Sequence, residues 1–200
     1  MKNSENSPRA MKIAITGGIG CGKSYVCARL AAQGMVVYDC DSAAKRLINS
    51  SSDIRKRLTE LIGPDTYTAE GRLNKALVSA FLLASEANAQ ALDAIVHPAV
   101  AQDFVDSGEQ WMECAILFEA GFERFVDKVI AVTAPESVRI ERIMMRDGIA
   151  ESQAREWLAR QWPQERVRRL ADYEIINDGC KDIDSQLNDI LTKLKQTEKC

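Results

Sequence analysis

The chain has 200 residues, 46% hydrophobic and 28% charged, values of an ordinary globular domain that exclude a disordered or collagen-like polymer. Lys and Arg total 26 against 29 Asp and Glu, and the net charge of -3 argues against a duplex-DNA binder working through overall basicity. A local basic site remains open. No run approaches the roughly 20 apolar residues that span a bilayer, so neither membrane nor nucleic acid is expected as a partner. Met1 to Ala10 is polar, without the apolar core of a secretory signal, and residues 1–11 read as a flexible extension. Six cysteines are scattered with no CxxC pair, which points away from zinc and toward a reducing cytoplasm.

Five short apolar runs read as strands, each followed by helical material: Lys12–Thr16, Met35–Tyr38, Glu113–Phe118, Lys128–Thr133 and Tyr173–Ile176. Several are almost continuously apolar, the pattern of central strands in a parallel sheet covered on both faces. Strands alternating with helices predict an α/β fold built of right-handed βαβ units. Two intervals exceed a simple crossover. Residues 42–110 carry Leu77, Phe81, Leu82, Leu92, Ile95 and Val96 at helical spacing and predict a helical insertion. Residues 135–171 are also helical, and dense in arginine.

After the first strand comes Gly17-Gly18-Ile19-Gly20-Cys21-Gly22-Lys23-Ser24, a match to G-x-x-x-x-G-K-[ST] in strand–loop–helix context. Its glycines let successive N–H groups converge on phosphate oxygens, and the helix that follows turns its positive end to the same anion. Lys23 is expected to reach the β- and γ-phosphates, and the Ser24 hydroxyl to ligate Mg²⁺. The loop alone leaves kinases, ATPases and GTPases open. The guanine-reading N-K-x-D is missing, since Asn74-Lys75-Ala76-Leu77 has no aspartate, and the run ending Leu117-Phe118-Glu119 has no aspartate before its glutamate. Both of those readings lose ground.

The second strand leads into Asp39-Cys40-Asp41, two carboxylates where open α/β sheets gather ligands. Asp41 is the expected base for an acceptor hydroxyl, facing the phosphate loop, and Asp39 is expected to cap the next helix or support the metal; Asp39 or Glu119 could reach Mg²⁺ through water. Between Arg139 and Arg169 stand eight arginines, no lysine and five acids. Arginine without lysine suits forked gripping of phosphate in a helical lid, although about half should belong to ordinary surface ion pairs. Arg142 and Arg146, four apart on one helix face, are the expected functional pair. His97 precedes Pro98 and is expected at a junction between helices. Trp157, Leu158 and Trp162 fit packing inside the lid, and Asn177 after the last strand could border the nucleotide base.

Taken together, these residues resemble the dephospho-CoA kinase family. The resemblance runs from about Lys12 to about Leu194 through Ile15–Ser24, Asp39-Cys40-Asp41, Ile95-Val96-His97-Pro98, Ile116-Leu117-Phe118-Glu119, Arg142 with Arg146-Asp147-Gly148, and Ala171-Asp172-Tyr173 leading to Asn177. It implies a phosphate-loop NTPase three-layer sandwich with a central five-stranded parallel sheet, a helical substrate-binding insertion and a helical lid. The implied division is a core of 12–41, 111–134 and 172–200, a CoA-binding region of 42–110 and a lid of 135–171. The implied reaction moves the ATP γ-phosphoryl to the ribose 3′-hydroxyl of dephospho-CoA, with Mg²⁺, in a monomer or weak homo-oligomer. Gly20, Cys21, Gly22, Lys23, Ser24 and Tyr25 would wrap the ATP phosphates, Asp41 would match the catalytic aspartate and Arg146 the lid arginine. Thr16 and the His97-Pro98 pair match positions near the acceptor. Tyr25 stands where the family commonly has threonine, and Lys75 where it often has arginine.

Overall fold

The structure is a computed structural model that describes residues 10–197. Most of the expected extension therefore lies outside the described residues; Met11, assigned to it from sequence, packs against the core instead. The described residues divide into two compact units, 10–37 with 109–197, and 38–108.

The five strands are β1 (Ile13–Thr16), β2 (Val37–Asp39), β3 (Trp111–Glu113), β4 (Lys128–Thr133) and β5 (Tyr173–Ile176), ordered β2-β3-β1-β4-β5. β1 pairs in parallel with β3 and β4, and β4 with β5. All four residues of β1 are buried, as a strand covered on both faces requires. In the first unit, Ile13 and Ile15 of β1, Ile130 and Val132 of β4 and Ile175 of β5 meet Val26 and Leu30 of α1 (Lys23–Ala32). The same cluster takes Leu187, Ile190, Leu191 and Leu194 from α9 (Ile183–Thr197). A second cluster joins Ile140 and Ile143 of α6 (Glu136–Asp147) to Ala154, Trp157 and Leu158 of α7 (Glu151–Ala159), with Ile19 of the glycine loop packed against it. α8 (Gln164–Leu170) completes the arginine-rich segment, where Arg166 lies over the Trp162 ring at 3.2 Å.

The second unit is helical: α2 (Cys40–Ser50), α3 (Ser52–Ile62), α4 (Lys75–Ala84) and α5 (Glu86–Ser107). Ile54, Leu58 and Ile95 form its core with Leu47, Ile48, Leu61 and Tyr67. Among the described residues no helix is long and apolar enough to cross a membrane.

Two expectations need correction. The third strand ends at Glu113 and does not run to Phe118: its ladder is Ile13 with Trp111, Ala14 with Met112 and Ile15 with Glu113. The Cys114 N–H still donates to the Ile15 carbonyl at 3.0 Å, and then the chain curls, with Ala120 N–H on the Ile116 carbonyl at 2.8 Å. An apolar run without alternation does not say which of its residues are strand. His97 is not at a helix junction either, because α5 runs through Pro98 unbroken. The proline forfeits one backbone bond. Burial of Ile95, Val96, Val100, Ala101 and Phe104 on the same helix offsets that loss.

Candidate active site

The β1 strand ends at Thr16, which is buried, and the chain turns through the glycine loop into α1. Gly22 is the helix N-cap at φ 90°, a left-handed conformation in which side chains are strained. A Cβ there would also stand 2.1 Å from Asn177 Nδ2. The N–H groups of the first turn of α1, Lys23 and Ser24 among them, are those a helix leaves without intrahelical acceptors.

Three consecutive loop carbonyls are held by side chains. Arg139 Nε donates to the Ile19 carbonyl at 2.8 Å, Arg142 Nη1 to the Gly20 carbonyl at 3.4 Å, and Asn177 Nδ2 to the Cys21 carbonyl at 2.9 Å. Arg142 also donates to the Asn177 carbonyl and to Asn177 Oδ1, each at 3.1 Å. With the Ile19 and Cys21 carbonyls engaged on one side, the Gly20 and Gly22 N–H groups of the same planar peptides point to the other, while the Cys21 N–H is spent on the Gly18 carbonyl at 3.3 Å. Held in this way, the loop presents donors to an anion.

On the loop's open side lies a cavity of about 410 Å³ lined by Gly20, Gly22, Lys23, Ser24, Arg142 and Arg146. The structure thus brings together six of the residues singled out from sequence. Lys23 Nζ lies 3.7 Å from Glu113 Oε1, both side chains largely buried. Arg146 is more open and holds Asp147, Nη2 to Oδ2, at 2.7 Å. Cys21 is wholly enclosed, and burial pushes its thiol pKa up against the opposing pull of Lys23 and Arg139. Its sulfur is therefore packing, with little thiolate character. Tyr25 borders a neighbouring cavity with Gly22, Arg142 and Asn177, its hydroxyl accepting from Arg29 Nη2 at 2.5 Å.

The other expected residues have the following surroundings. Glu119 lines a separate, smaller cavity with Gly18, Arg139 and Gln161. Asp39 caps α2: Oδ1 accepts from the Asp41 and Ser42 N–H groups at 2.9 and 3.2 Å, and Oδ2 from the Ser42 hydroxyl at 2.7 Å. Asp41, in the first turn of α2, is exposed and pairs with Lys45 Nζ at 2.5 Å. His97 Nε2 lies 3.4 Å from Asp93 Oδ1, one turn back on α5. Of the remaining arginines, Arg155 pairs with Glu151 and Glu136, and Arg168 and Arg169 pair with Glu165. Those two bonds hold the Glu165 carboxyl down at about 2. This is the expected surface network.

Sequence reasoning missed Glu113, Arg139 and Gln161. Glu113 ends β3 beside the strand that feeds the loop, whereas the expected strand, displaced to Glu113–Phe118, put it at the strand's start. Arg139 was one of eight arginines, and only its burial distinguishes it.

A parallel sheet whose central strand opens into a braced glycine loop, with Lys23, Ser24 and two arginines around one cavity, defines a phosphate-loop phosphotransferase. The fold agrees with solved structures: a protein called TT1252 from Thermus thermophilus superposes with a TM-score of 0.78 at 27% identity, covering 94% of this chain and 98% of that one. A dephospho-CoA kinase from Campylobacter jejuni gives 0.64 at 18% identity over 94% and 97%, a likeness of fold. The family model for dephospho-CoA kinase matches residues 11–182, and the chain belongs to that family. Relatives named dephospho-CoA kinase include one from Bacteroides fragilis, 36% identical over 94% of each chain. Another, from Porphyromonas gingivalis, is 40% identical over 82% of this chain and 85% of its own.

Proposed function

We propose that this protein transfers the γ-phosphoryl group of ATP to the ribose 3′-hydroxyl of dephospho-CoA, the last step of coenzyme A synthesis. The family match through the phosphate loop and the arginine-rich helices carries the reading. In the reaction the bond between the γ-phosphorus and the β,γ-bridging oxygen breaks, the 3′-oxygen bonds to phosphorus, and ADP leaves. The loop N–H groups and Lys23 hold the β- and γ-phosphates, and Arg146 covers charge that spreads over the transferring group. Asp41 accepts the hydroxyl proton, with the Asp39 cap fixing the backbone that carries it.

Among the described residues no group of three acidic, histidine or cysteine side chains could cage a metal. The Ser24 hydroxyl, with Glu113 beside Lys23, suits instead a Mg²⁺ whose remaining ligands are phosphate oxygens and water. When bound, that ion neutralises phosphate charge; Ser24 would hold it directly and Glu113 through water. The protein would work in the cytoplasm on two small molecules, as a monomer or weak homo-oligomer.

Purified protein with ATP and Mg²⁺ should release ADP with dephospho-CoA and not with adenosine or nucleoside monophosphates, and mass spectrometry should place the new phosphate on the 3′-oxygen. Turnover only with the nucleosides or nucleotides would sink the assignment. Asp41→Asn should lower kcat by about 10²-fold or more with little change in ATP affinity, since an amide cannot take the proton. Near-normal kcat would remove Asp41 from the base role.

A further inference from the structure

Arg139 is a buried cation that no acid pairs with among the described residues. It is 7% exposed. Its guanidinium donates from Nε to the Ile19 carbonyl and from Nη2 to Gln161 Oε1 at 3.2 Å, and among the described residues it has no ion-pair partner. Gln161 Oε1 in turn accepts from the Ile19 N–H at 2.8 Å, so the two peptides that flank the Ile19 Cα are each held by one member of the same pair of side chains. The group sits directly behind the loop: a Cβ on Gly18 would stand 2.3 Å from Arg139 Nη2 and 2.9 Å from Gln161 Oε1. Glu136 acts on Arg139 only through its field, and is itself engaged by Arg155 at 2.8 Å. Lys23, Arg142 and Arg146 add further positive charge around the neighbouring cavity.

Burying an unpaired guanidinium costs stability, and proteins place such charges against a partner. Burial accordingly pulls the Arg139 pKa down, although an arginine stays charged at any physiological pH. The polyphosphate of the proposed function would lie on the other side of the loop, in the cavity lined by Lys23 and Ser24. We propose that Arg139 is a phosphate-positioning residue: with Gln161 it holds the two peptides that flank Ile19, and its charge has no ion-pair partner among the described residues because the nucleotide's polyphosphate is its counter-ion. The inference rests on the phosphate cradle of the proposed function and goes beyond it, assigning Arg139 an electrostatic task through the loop without contact to the reacting atoms.

Inorganic tripolyphosphate, which carries the charge of the nucleotide but neither base nor acceptor, isolates this role. Titration calorimetry on the full chain in Mg²⁺-free buffer should show Arg139→Met and Arg139→Gln binding it about tenfold more weakly than wild type. Gln keeps an N–H donor for the Ile19 carbonyl, so its loss reports charge. Arg139→Lys should recover most of the affinity. The apo melting temperature of Arg139→Gln should equal or exceed that of wild type, because the amide keeps a donor for the Ile19 carbonyl while a desolvated charge is removed. Affinity within twofold of wild type in a folded neutral variant overturns the proposal. So does Arg139→Lys binding no better than Arg139→Met, or a fall in apo melting temperature accompanying the loss in Arg139→Gln, which marks a packing role. A wild type that binds tripolyphosphate but phosphorylates no dephospho-CoA sinks the activity and leaves this inference standing; one that binds no tripolyphosphate sinks both.

Discussion

Replacing Asn177 by alanine tests whether the loop is held from outside or holds itself. Asn177 is 8% exposed, and its side chain makes two bonds: Nδ2 to the Cys21 carbonyl at 2.9 Å and Oδ1 from Arg142 Nη2 at 3.1 Å. Its backbone bonds, the N–H to the Thr133 carbonyl at 2.7 Å and the carbonyl from Arg142, survive the change. The Cys21 carbonyl belongs to a wholly enclosed residue, so stranding it costs about 1–3 kcal/mol. The Arg142 bond is charge-assisted and worth about 1.5–3 kcal/mol in a dry site, but Arg142 lines open cavities where water can replace the lost acceptor. The sum is about 3 kcal/mol. With a urea m-value of about 2 kcal/mol/M, the midpoint should fall by about 1.5 M. All three tryptophans, Trp111, Trp157 and Trp162, lie in the unit that contains the loop, so their fluorescence reports its unfolding selectively. KM for ATP should rise about tenfold or more, because the loop peptides lose their orientation before phosphate arrives. Asn177→Asp keeps the acceptor for Arg142 but sets a carboxylate oxygen against the Cys21 carbonyl and a negative charge beside the loop, so it should raise the ATP KM at least as much as alanine does. A midpoint shift below about 0.5 M with an unchanged ATP KM would refute the bracing argument.

Lys23→Ala should lower kcat by about 10²–10³-fold in a coupled ADP-release assay, by removing charge from the transferring phosphoryl group, and a loss under tenfold would contradict that role. Gly22→Ala should lower the melting temperature by several degrees and abolish ATP binding in calorimetry, since both the φ of 90° and the 2.1 Å approach to Asn177 Nδ2 exclude a methyl group. Tyr38→Phe tests the second unit. Burial, and then the bond to Asp103 Oδ2 at 2.7 Å, raise the ionisation of the Tyr38 hydroxyl well above its usual range. A raised folded pKa contributes stability below the unfolded value near 10 that is lost as pH climbs beyond it. The variant should therefore cost about 1 kcal/mol at pH 7, read by far-ultraviolet dichroism, with the gap to wild type closing above about pH 10. A gap that widens there reverses the sign and refutes the assignment.

How far the residues revealed the fold depended on whether the decisive contacts were local. β4 and β5 were legible to the residue, because β-branched runs at Lys128–Thr133 and Tyr173–Ile176 end in breakers such as Pro135 and Asn177-Asp178-Gly179. The third strand was read too far along because Ile116-Leu117-Phe118 is as apolar as a strand. Its burial instead comes from a turn that sends Leu117 inward and leaves Ile116 41% exposed. Pro98 misled in the opposite way: local chemistry argued for a helix boundary, and the core of the second unit overrode it. Lys23 and Ser24 were legible since eight consecutive residues spell the loop and its helix. Glu113 was not, for an acid at a strand's end can be found only once the end is placed correctly.

The deeper difference lies between a loop that permits a phosphate cradle and one that is arranged for it. Glycines at 17, 18, 20 and 22 make the required backbone accessible, but they also enlarge the set of conformations the empty loop can visit, and that freedom must be lost on binding. The side chains that remove it come from far along the chain: Arg139 donates to the Ile19 carbonyl across 120 residues, Gln161 accepts from the Ile19 N–H across 142, and Asn177 donates to the Cys21 carbonyl across 156. A helix period places 139, 142 and 146 near one face, yet only the fold buries Arg139 and leaves Arg146 open beside the cavity. Three arginines that look equivalent in sequence thus divide the work by burial, one behind the loop, one at its carbonyl edge and one where the transferring group would stand. Chemistry is spelled in the motif, and preorganisation in residues that no local pattern connects to it.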